Sequence, residues 1–529
     1  MDRATAHDAS LFNDAYARAL GADGVGFVAM LREHSADLAA HCTDSTVSLE
    51  AYATLAEWTG NSAAAAKRIA DALPTLRPEL LGRAHSTLGR LLILSGSRER
   101  AGIALAEAEA LSESSAESLR IARDRALLAM TDRQWSNGEN ELLRVEAACT
   151  AASASIFALE AAIYRATSLV GNGAAAEALD LLLSRYEEVP KGGLLELRAL
   201  LVLARAHIDR IELDRASELV ERARTLCDPE LFEAYVRLVH ADADLAAWRS
   251  EWPASRRHLQ TLHEVSVARQ LPIYEAHACY ARALLEFDAD DFECALEYAA
   301  KTIGLGLAIE HVSIVNAARL IQACALAKLA RRNDALKSYR AARKPSIEGI
   351  DSVYFDGLAA LAEILLANLA SSPDEAAAFE LLAKNRIATI VVRNPQGIRH
   401  VESSFHLHVL SRRLRRYAEE RKLETSLVSR TRLAAVDVDG RWIELSTGER
   451  ISVEQRPVLQ RLLSCLWRNA KARPNEPIMA AELIAATWPN DRASETSLRV
   501  RLRVAVATLR QFGLEDALHT QKSGYFLSL

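Results

Sequence analysis

Residues 88–108 read LGRLLILSGSRERAGIALAEA, and this stretch decides the fold of most of the chain. The small residue Gly89 is followed by Ala101 twelve residues later and by Ala108 nineteen residues later. Small side chains at these three positions let two antiparallel helices approach closely. Larger residues such as Leu92 and Leu105 then fill the groove between them. The stretch therefore predicts a pair of packed antiparallel helices.

The same spacing of small residues recurs along the chain, which indicates an internal repeat. Clear copies are Ala53/Ala65/Ala72, Ala204/Ala216/Ala223 and Ala323/Ala335/Ala342. Weaker copies are Ala129/Glu141/Ala148, Ala166/Ala178/Arg185, Asp242/Ala254/Thr261 and Ala283/Ala295/Thr302. The middle positions of these eight copies follow one another at intervals of 36 to 41 residues. Eight copies in order predict an array of helix pairs.

This spacing is the tetratricopeptide pattern, with a period longer than the standard 34 residues. Residues 45–390 resemble the long tetratricopeptide-like repeats of MalT-type bacterial activators, and residues 1–44 would form N-terminal capping helices. The resemblance implies an α-solenoid whose concave surface binds a protein, a peptide or a small effector. The chain has no GxxxxGK[ST] phosphate-binding loop, so the ATPase module of those activators is not expected.

Polar and aromatic residues within the array receive structural interpretations. We expect His207 and His277 to be packing residues. We expect Trp135, Trp248 and Trp252 to fill the core or the space between repeats, with a ligand platform as the alternative. No catalytic constellation or metal-ligand spacing stands out, so we expect neither an enzyme nor a bound cofactor or metal.

Charge is distributed unevenly along the 529 residues. The segment from Arg399 onward holds 22 of the 64 Lys and Arg residues but only 15 of the 70 Asp and Glu residues. A basic end on an acidic body predicts that only the C-terminal part contacts a polyanion. The N-terminal MDRATAHDAS lacks a signal-peptide layout and no apolar run is long enough for a membrane span, so we expect a cytoplasmic protein with no membrane partner.

Residues 391–430 are expected to link the array to a C-terminal domain. Within them, residues 402–423 are predicted to form one helix that carries the cluster Arg412, Arg413, Arg415 and Arg416. We interpret this cluster as a solvated face, and non-specific contact with phosphates is the alternative.

The C-terminal domain is predicted to begin with a small antiparallel sheet. Residues 436–453 read VDVDGRWIELSTGERISV, with alternating apolar residues and turns at Asp439-Gly440 and Thr447-Gly448. A helix at about 454–469, a shorter helix that ends at Trp488 and a third helix that begins near Ser494 follow. The chain then continues with two short strands joined by a turn at Ser523-Gly524.

The third helix carries two distinct faces at 100° per residue. One is an apolar stripe formed by Leu498, Leu502, Ala505, Val506 and Leu509. The other is basic and small, with Thr496, Arg499, Val500, Arg503, Ala507 and Arg510. A helix that enters a major groove requires a face of this kind, because arginine can bind guanine O6 and N7.

This order of elements resembles the winged-helix output domain of OmpR/PhoB-type response regulators over residues 431–529. The matching positions are Trp488 at the end of the second helix, Leu509-Arg510 near the end of the third, and Gly524-Tyr525-Phe526 in the wing. The resemblance implies that residues 494–512 are the recognition helix. The DNA-binding residues are then predicted to be Arg492, Thr496, Arg499, Val500, Arg503, Arg510, Lys522, Ser523 and Tyr525.

The sequence thus predicts a mainly α protein, with a tetratricopeptide-like α-solenoid followed by a small α+β winged-helix domain. The expected function is a bacterial transcription regulator that binds double-stranded DNA through residues 431–529. The resemblance implies that signal binding, or self-association of the repeats as a homodimer, would place two winged helices on a repeated half-site. The alternative is a tetratricopeptide scaffold whose winged helix docks another protein.

Overall fold

The structure is a computed structural model, and the chain divides into two compact units, Met1–Leu427 and Val428–Leu529. It describes residues 15–393 except 113 and 344–348, the short segments 409–410 and 413–414, and residues 433–527 with six gaps. These gaps are 446–449, 454–455, 474–475, 490–494, 515–516 and 522–523. Within this part of the chain, no helix combines the length and apolar character that crossing a membrane requires.

The first unit is a mainly α solenoid of tetratricopeptide-like helix pairs. It opens with three short helices, α1 (Ala15–Leu20), α2 (Gly24–Glu33) and α3 (Ser35–His41). The first helices of the pairs are α4 (Thr46–Thr59), α6 (Pro78–Leu94), α8 (Ser115–Thr131), α10 (Ser155–Gly171), α12 (Leu194–Asp209), α14 (Phe232–Trp248), α16 (Pro272–Asp288), α18 (Val312–Lys328) and α20 (Gly349–Asn368). The second helices are α5 (Ser62–Ala72), α7 (Arg98–Ala110), α9 (Trp135–Ala151), α11 (Ala175–Arg185), α13 (Leu213–Leu226), α15 (Trp252–Ala268), α17 (Phe292–Ala308), α19 (Arg332–Ala341) and α21 (Pro373–Arg393).

Small residues hold the two helices of a pair together, as the sequence predicts. In α6 and α7, Ala101 and Ala108 are fully buried, and a Cβ on Gly89 would lie 2.7 Å from a methyl group of Leu105. A side chain at position 89 would force Leu105 to shift, so the close contact favours glycine. The helix pairs predicted by the repeat are therefore confirmed.

The turn inside each of the first eight pairs holds one residue with a left-handed backbone. These residues are Gly60, Gly96, Arg133, Gly173, Ile211, Ser250, Asp290 and Ala330, with φ between +58° and +89°. They follow one another at intervals of 36 to 40 residues. Each lies five residues before the small residue that the second helix packs against the first, so the turn and the helix contact repeat as one unit.

The structure corrects the register of two weaker copies. The copies predicted at Ala129/Glu141/Ala148 and Asp242/Ala254/Thr261 are in fact Ala126/Gly138/Val145 and Ala243/Ser255/Leu262, all buried. The helices approach most closely at Gly138, where a Cβ would lie 2.6 Å from Cγ of Met130. A ninth pair, α20 and α21, carries Ile364 where the other pairs have a small residue, so the spacing pattern missed it.

Contacts also join pairs that are far apart in the sequence of the first unit. An Arg98 guanidinium nitrogen donates to the carbonyl oxygen of Glu310 at 3.1 Å. A Cβ on Gly60 would lie 2.7 Å from the ring of Phe232, so these residues are in direct contact. The superhelix therefore brings helix pairs that are distant in the sequence into contact.

The predicted linking helix at 391–430 lies almost entirely outside the described residues, as do Arg412, Arg415 and Arg416. Arg413 is described, and its side chain is largely buried rather than solvated. It donates to the carbonyl oxygen of Phe287 at 2.8 Å and to the Asp290 carboxylate at 3.0 Å. Arg413 thus binds the C-terminal end of α16, where the last carbonyl groups of a helix lack intrahelical partners.

The second unit contains two small antiparallel sheets and three helices in its described residues. Its elements are β1 (Leu433–Val436), β2 (Trp442–Leu445), β3 (Arg450–Ser452), α22 (Pro457–Ala472), β4 (Ile478–Met479), α23 (Ala480–Thr487), α24 (Glu495–Leu509), β5 (Leu518–Gln521) and β6 (Gly524–Leu527). The strand orders are β1-β2-β3 and β4-β6-β5. The small C-terminal sheets that the sequence predicts are therefore confirmed.

Helix and strand boundaries in this unit differ slightly from the expectations. The helix predicted at 454–469 begins at Pro457, a residue suited to the first helical position, and extends to Ala472. The helix predicted at 494–512 is regular only to Leu509, and residues Arg510–Leu514 form one wider turn. Gly440 has φ +73°, and a Cβ there would lie 2.3 Å from the carbonyl oxygen of Gln460. Only glycine can bring this turn so close to α22.

Candidate functional site

The outer face of α24 is the first candidate site. Arg499, Arg503 and Ala507 are exposed, whereas Leu498 and Leu502 are buried in the core of the second unit. Arg499 and Arg503 are four residues apart, so both lie along one side of the helix. No acidic residue occurs between positions 496 and 510. Glu495, the first residue of α24, is therefore the one carboxylate of this helix, and the exposed face that follows it is basic or small.

The structure places only some of the predicted DNA-binding residues. Arg492, Lys522 and Ser523 lie outside the described residues. Thr496 and Val500 lie within α24, but their side chains are outside the description. Arg499 and Arg503 are therefore the two predicted residues that the described structure brings together on one exposed face.

Arg510 and Tyr525 have contacts that differ from those expected of DNA-binding residues. Nε of Arg510 donates to the carbonyl oxygen of Leu518 at 2.9 Å, and its Nη2 donates to Oγ1 of Thr520 at 2.8 Å. Tyr525 is half-buried on β6, opposite Thr520, and packs against the core. Arg510 therefore ties the end of α24 to β5, and Tyr525 anchors the hairpin to the unit.

Sequence reasoning left out one exposed cation on the same helix. Arg501 is exposed on α24, two residues from both Arg499 and Arg503. Its position is about 200° around the helix from Arg499, on the other flank of the exposed surface. The period of 100° per residue that predicted the exposure of Arg499 and Arg503 also predicts that of Arg501.

The second candidate site is a cavity of about 520 Å³ inside the helical-repeat unit. Side chains from the first helices of most pairs line it, from Glu57 on α4 to Tyr354 on α20. Such a volume lies within the range of small-molecule binding sites. The cavity combines aliphatic and aromatic walls with guanidinium, imidazole and carboxylate groups.

A buried ion network forms one end of this cavity. The guanidinium of Arg198 donates to Glu57 at 2.7 Å and to Glu160 at 3.0 Å, and Arg90 donates to Glu57 at 2.7 Å. The hydroxyl of Tyr16, from α1, also hydrogen-bonds to Glu160. Burial would raise the pKa of Glu57, but Arg90 and Arg198 lower it to about 2. The two arginines therefore keep the Glu57 carboxylate ionised in spite of its burial.

Two histidines line the cavity side by side. The rings of His277 and His311 meet edge to face, with centroids 5.5 Å apart. Burial lowers the pKa of both imidazoles, that of His311 to about 3, and nearby arginines lower it further. Both rings are therefore neutral near pH 7. His277 is packed against His311, and because its side chain also lines the cavity, the interpretation as a packing residue is incomplete.

The three tryptophans and His207 do not share one environment. Trp135 and Trp248 line the cavity, so the interpretation as core fillers is incomplete for them. Nε1 of Trp135 donates to Asp351 at 3.2 Å. Trp252 packs against a hydrophobic cluster, as expected. His207 is buried with its Nδ1 2.6 Å from Glu212.

A group of potential metal ligands occurs away from the cavity. Ligand atoms of Glu286, Asp291 and Cys294 lie within 4.8 Å of one another. The Glu286 carboxylate already accepts hydrogen bonds from Arg256, at 2.9 Å, and from Arg282. Two guanidinium groups on one carboxylate satisfy its charge, so this cluster is a poor fit for a cation.

Comparisons with known proteins found similarity to solved structures at low sequence identity. No protein-family model matches the chain, and no curated protein sequence matches it. The apo form of RapI is similar with a TM-score of 0.39 and 14% identity, over 65% of this chain and 99% of that one. Naa15/Naa10 bound to HypK-THB is similar with a TM-score of 0.20 and 15% identity, over 95% of this chain and 80% of that one. Similarity at this level carries no argument about function.

Proposed function

We propose that the C-terminal unit is a winged helix that binds double-stranded DNA in a sequence-specific manner. The observation that carries the proposal is the outer face of α24, where Arg499, Arg503 and Ala507 are exposed opposite the buried Leu498 and Leu502. An α-helix fits the major groove, which is about 12 Å wide. Arginine can bind guanine there in a bidentate manner, and a small residue such as alanine lets the helix approach the base edges.

The arrangement around α24 supports the same proposal. The β5–β6 hairpin follows this helix, and Arg510 holds its first strand through Leu518 and Thr520. A hairpin fixed at this position would lie beside the groove as a wing and contact the DNA backbone. Contacts with phosphates position a protein on the duplex, whereas contacts with base edges select the sequence.

In the proposed function, the whole protein is a transcription regulator. The helical-repeat unit would sense a protein, a peptide or a small effector through its inner surface. Self-association of two chains would place two copies of α24 on repeated half-sites, separated by one helical turn of DNA or a multiple of it.

Capture of genomic DNA tests this function. Purified full-length protein is mixed with sheared genomic DNA from its own host, and the retained fragments are sequenced. We expect a small number of enriched promoter sites with repeated half-sites. A flat profile would contradict the proposal and support the alternative, a scaffold whose C-terminal unit docks another protein.

A further inference from the structure

The charged groups that line the cavity are not equally accessible from it. The side chains of Arg237 and Arg205 are 47% and 36% exposed. Their acidic neighbours are turned toward the wall, with Glu233 7% and Asp244 13% exposed. The polar surface that a ligand would meet in this part of the cavity is therefore mainly cationic.

Arg237 keeps hydrogen-bonding capacity toward the cavity. Its Nε donates to Oε1 of Glu233 at 2.6 Å, one turn earlier on α14. Within the described part of the chain, no hydrogen bond or ion pair engages its two Nη groups. A guanidinium held through Nε presents its Nη donors in a fixed geometry, which suits an oxygen anion.

The number of available guanidinium groups suits a singly charged anion. The other lining arginines, Arg90, Arg133, Arg198 and Arg205, each have an Nη atom within 4.0 Å of a carboxylate. Arg237 is paired through Nε alone, so its two Nη groups match the two oxygens of one carboxylate. A dianion such as a phosphate monoester would find one such guanidinium for its two charges.

The walls of the cavity offer apolar surface for the uncharged part of a ligand. Tyr274 and Trp248 present aromatic surface to the cavity, and Leu262 and Ile273 present aliphatic surface. Burying such groups against an apolar ligand gains about 25 cal/mol per Å² of surface removed from water. The volume of about 520 Å³ suits a compact molecule better than an extended chain.

We propose that this cavity binds a small amphipathic monocarboxylate, with its carboxylate on the Nη groups of Arg237 and its apolar body against Tyr274 and Trp248. This ligand is the class of effector for the sensing role above, and its regulatory meaning rests on that proposed function. The binding itself depends only on the helical-repeat unit.

Isothermal titration calorimetry of the full-length protein tests the site with two matched probes, phenylbutyrate and its neutral amide. We expect saturable binding of phenylbutyrate, one molecule per chain, and roughly tenfold weaker binding of the amide, since a hydrogen bond to a charged group is lost. Absence of saturable phenylbutyrate binding at millimolar concentration would overturn the proposal. Equal affinity for the amide would overturn it as well.

Two substitutions locate the bound molecule. We expect R237M to weaken phenylbutyrate binding roughly tenfold and to leave the amide unaffected. The matched control R257M lies at an exposed position on α15 outside the cavity, so it should leave the affinity for phenylbutyrate and for the amide unchanged. T167W should fill the cavity from α10 and abolish binding of both probes, which keeps the location testable if R237M does not fold.

Unchanged affinity in folded R237M, or in folded T167W, would overturn the location. The titrations contain no DNA. A failure here therefore leaves the proposed DNA binding intact, and a flat genomic profile leaves the ligand site intact.

Discussion

Arginine has opposite surroundings in the two units of this protein. In the helical-repeat unit, Arg198 is buried with two carboxylates, those of Glu57 and Glu160, within 3.0 Å. In the C-terminal unit, Arg499 and Arg503 are exposed on a helix whose one carboxylate belongs to its first residue, Glu495. The count of basic residues therefore does not locate a surface for polyanions, because the neighbours of each guanidinium decide what it can bind.

The same comparison separates stability from binding. A buried guanidinium has lost its water and depends on its carboxylates, so its removal leaves uncompensated charge in the interior. An exposed guanidinium on α24 lies away from the apolar core of its unit, so its removal should affect DNA and leave the fold intact.

The largest expected effect is the loss of Arg198. R198M should lower the free energy of unfolding by about 3–5 kcal/mol, because the buried Glu57 and Glu160 carboxylates would each lose one of their guanidinium partners. Urea unfolding followed by circular dichroism measures the change. The exposed Arg257 provides the control, and R257M should stay within about 0.5 kcal/mol of wild type. Equal stability of the two variants would break the contrast between buried and exposed arginines.

A pH dependence of similar size should come from Glu57. Its pKa is lowered to about 2, so its contribution is complete above the unfolded pKa of about 4.3 and is lost as pH falls through about 2. The difference corresponds to about 3 kcal/mol. Unfolding free energies at about pH 6 and about pH 3 should differ less in E57Q than in wild type. An unaltered pH slope in E57Q would show that the ion network does not control acid stability.

A smaller effect, on DNA rather than stability, is expected at Arg503. R503A should weaken binding to an enriched genomic fragment by about 1–3 kcal/mol and relax the preference at one base position. Fluorescence anisotropy with that fragment and with an unrelated fragment measures the loss of affinity and the loss of sequence preference. R461A, an exposed arginine on α22, serves as the control. If R503A weakened both fragments equally, Arg503 would be a phosphate contact rather than a base contact.

The smallest effect concerns the repeated turns. Ile211 has φ +59°, a conformation that a β-branched residue tolerates poorly. I211N should therefore raise the free energy of unfolding by up to about 1 kcal/mol, since asparagine adopts the left-handed region more readily. Conversely, G173A replaces a glycine with φ +89° and should lower the free energy of unfolding by about 1 kcal/mol. Loss of stability in I211N would mean that side-chain packing at Ile211 outweighs its backbone strain.

Local patterns predicted the helix pairs, but not every register. The spacing of Gly89, Ala101 and Ala108 follows from contacts within one pair, so the sequence contains it directly. In the pair α8–α9, Ala129 and Glu141 fit the same spacing by chance. The sequence alone could not show that the helices approach most closely at Gly138.

The cavity could not be predicted, because it depends on the superhelix. Gly60 contacts Phe232 and Arg98 contacts Glu310, at sequence separations that no periodicity encodes. The exposed face of α24 was accessible from the 100° helical period alone. The hydrogen bonds of Arg510 could not be predicted in this way, because its partners Leu518 and Thr520 lie on β5, a strand that returns to the helix.

The double variant R499A/R503A tests the central claim most directly, by fluorescence anisotropy at physiological salt on an enriched fragment and an unrelated fragment. Neither residue lies on the buried stripe of α24, so the variant should keep the circular dichroism and unfolding midpoint of wild type. We predict that it loses the discrimination between the two fragments. Unchanged affinity and discrimination in the folded double variant would contradict DNA recognition by this face and would favour a protein-docking role for the C-terminal unit.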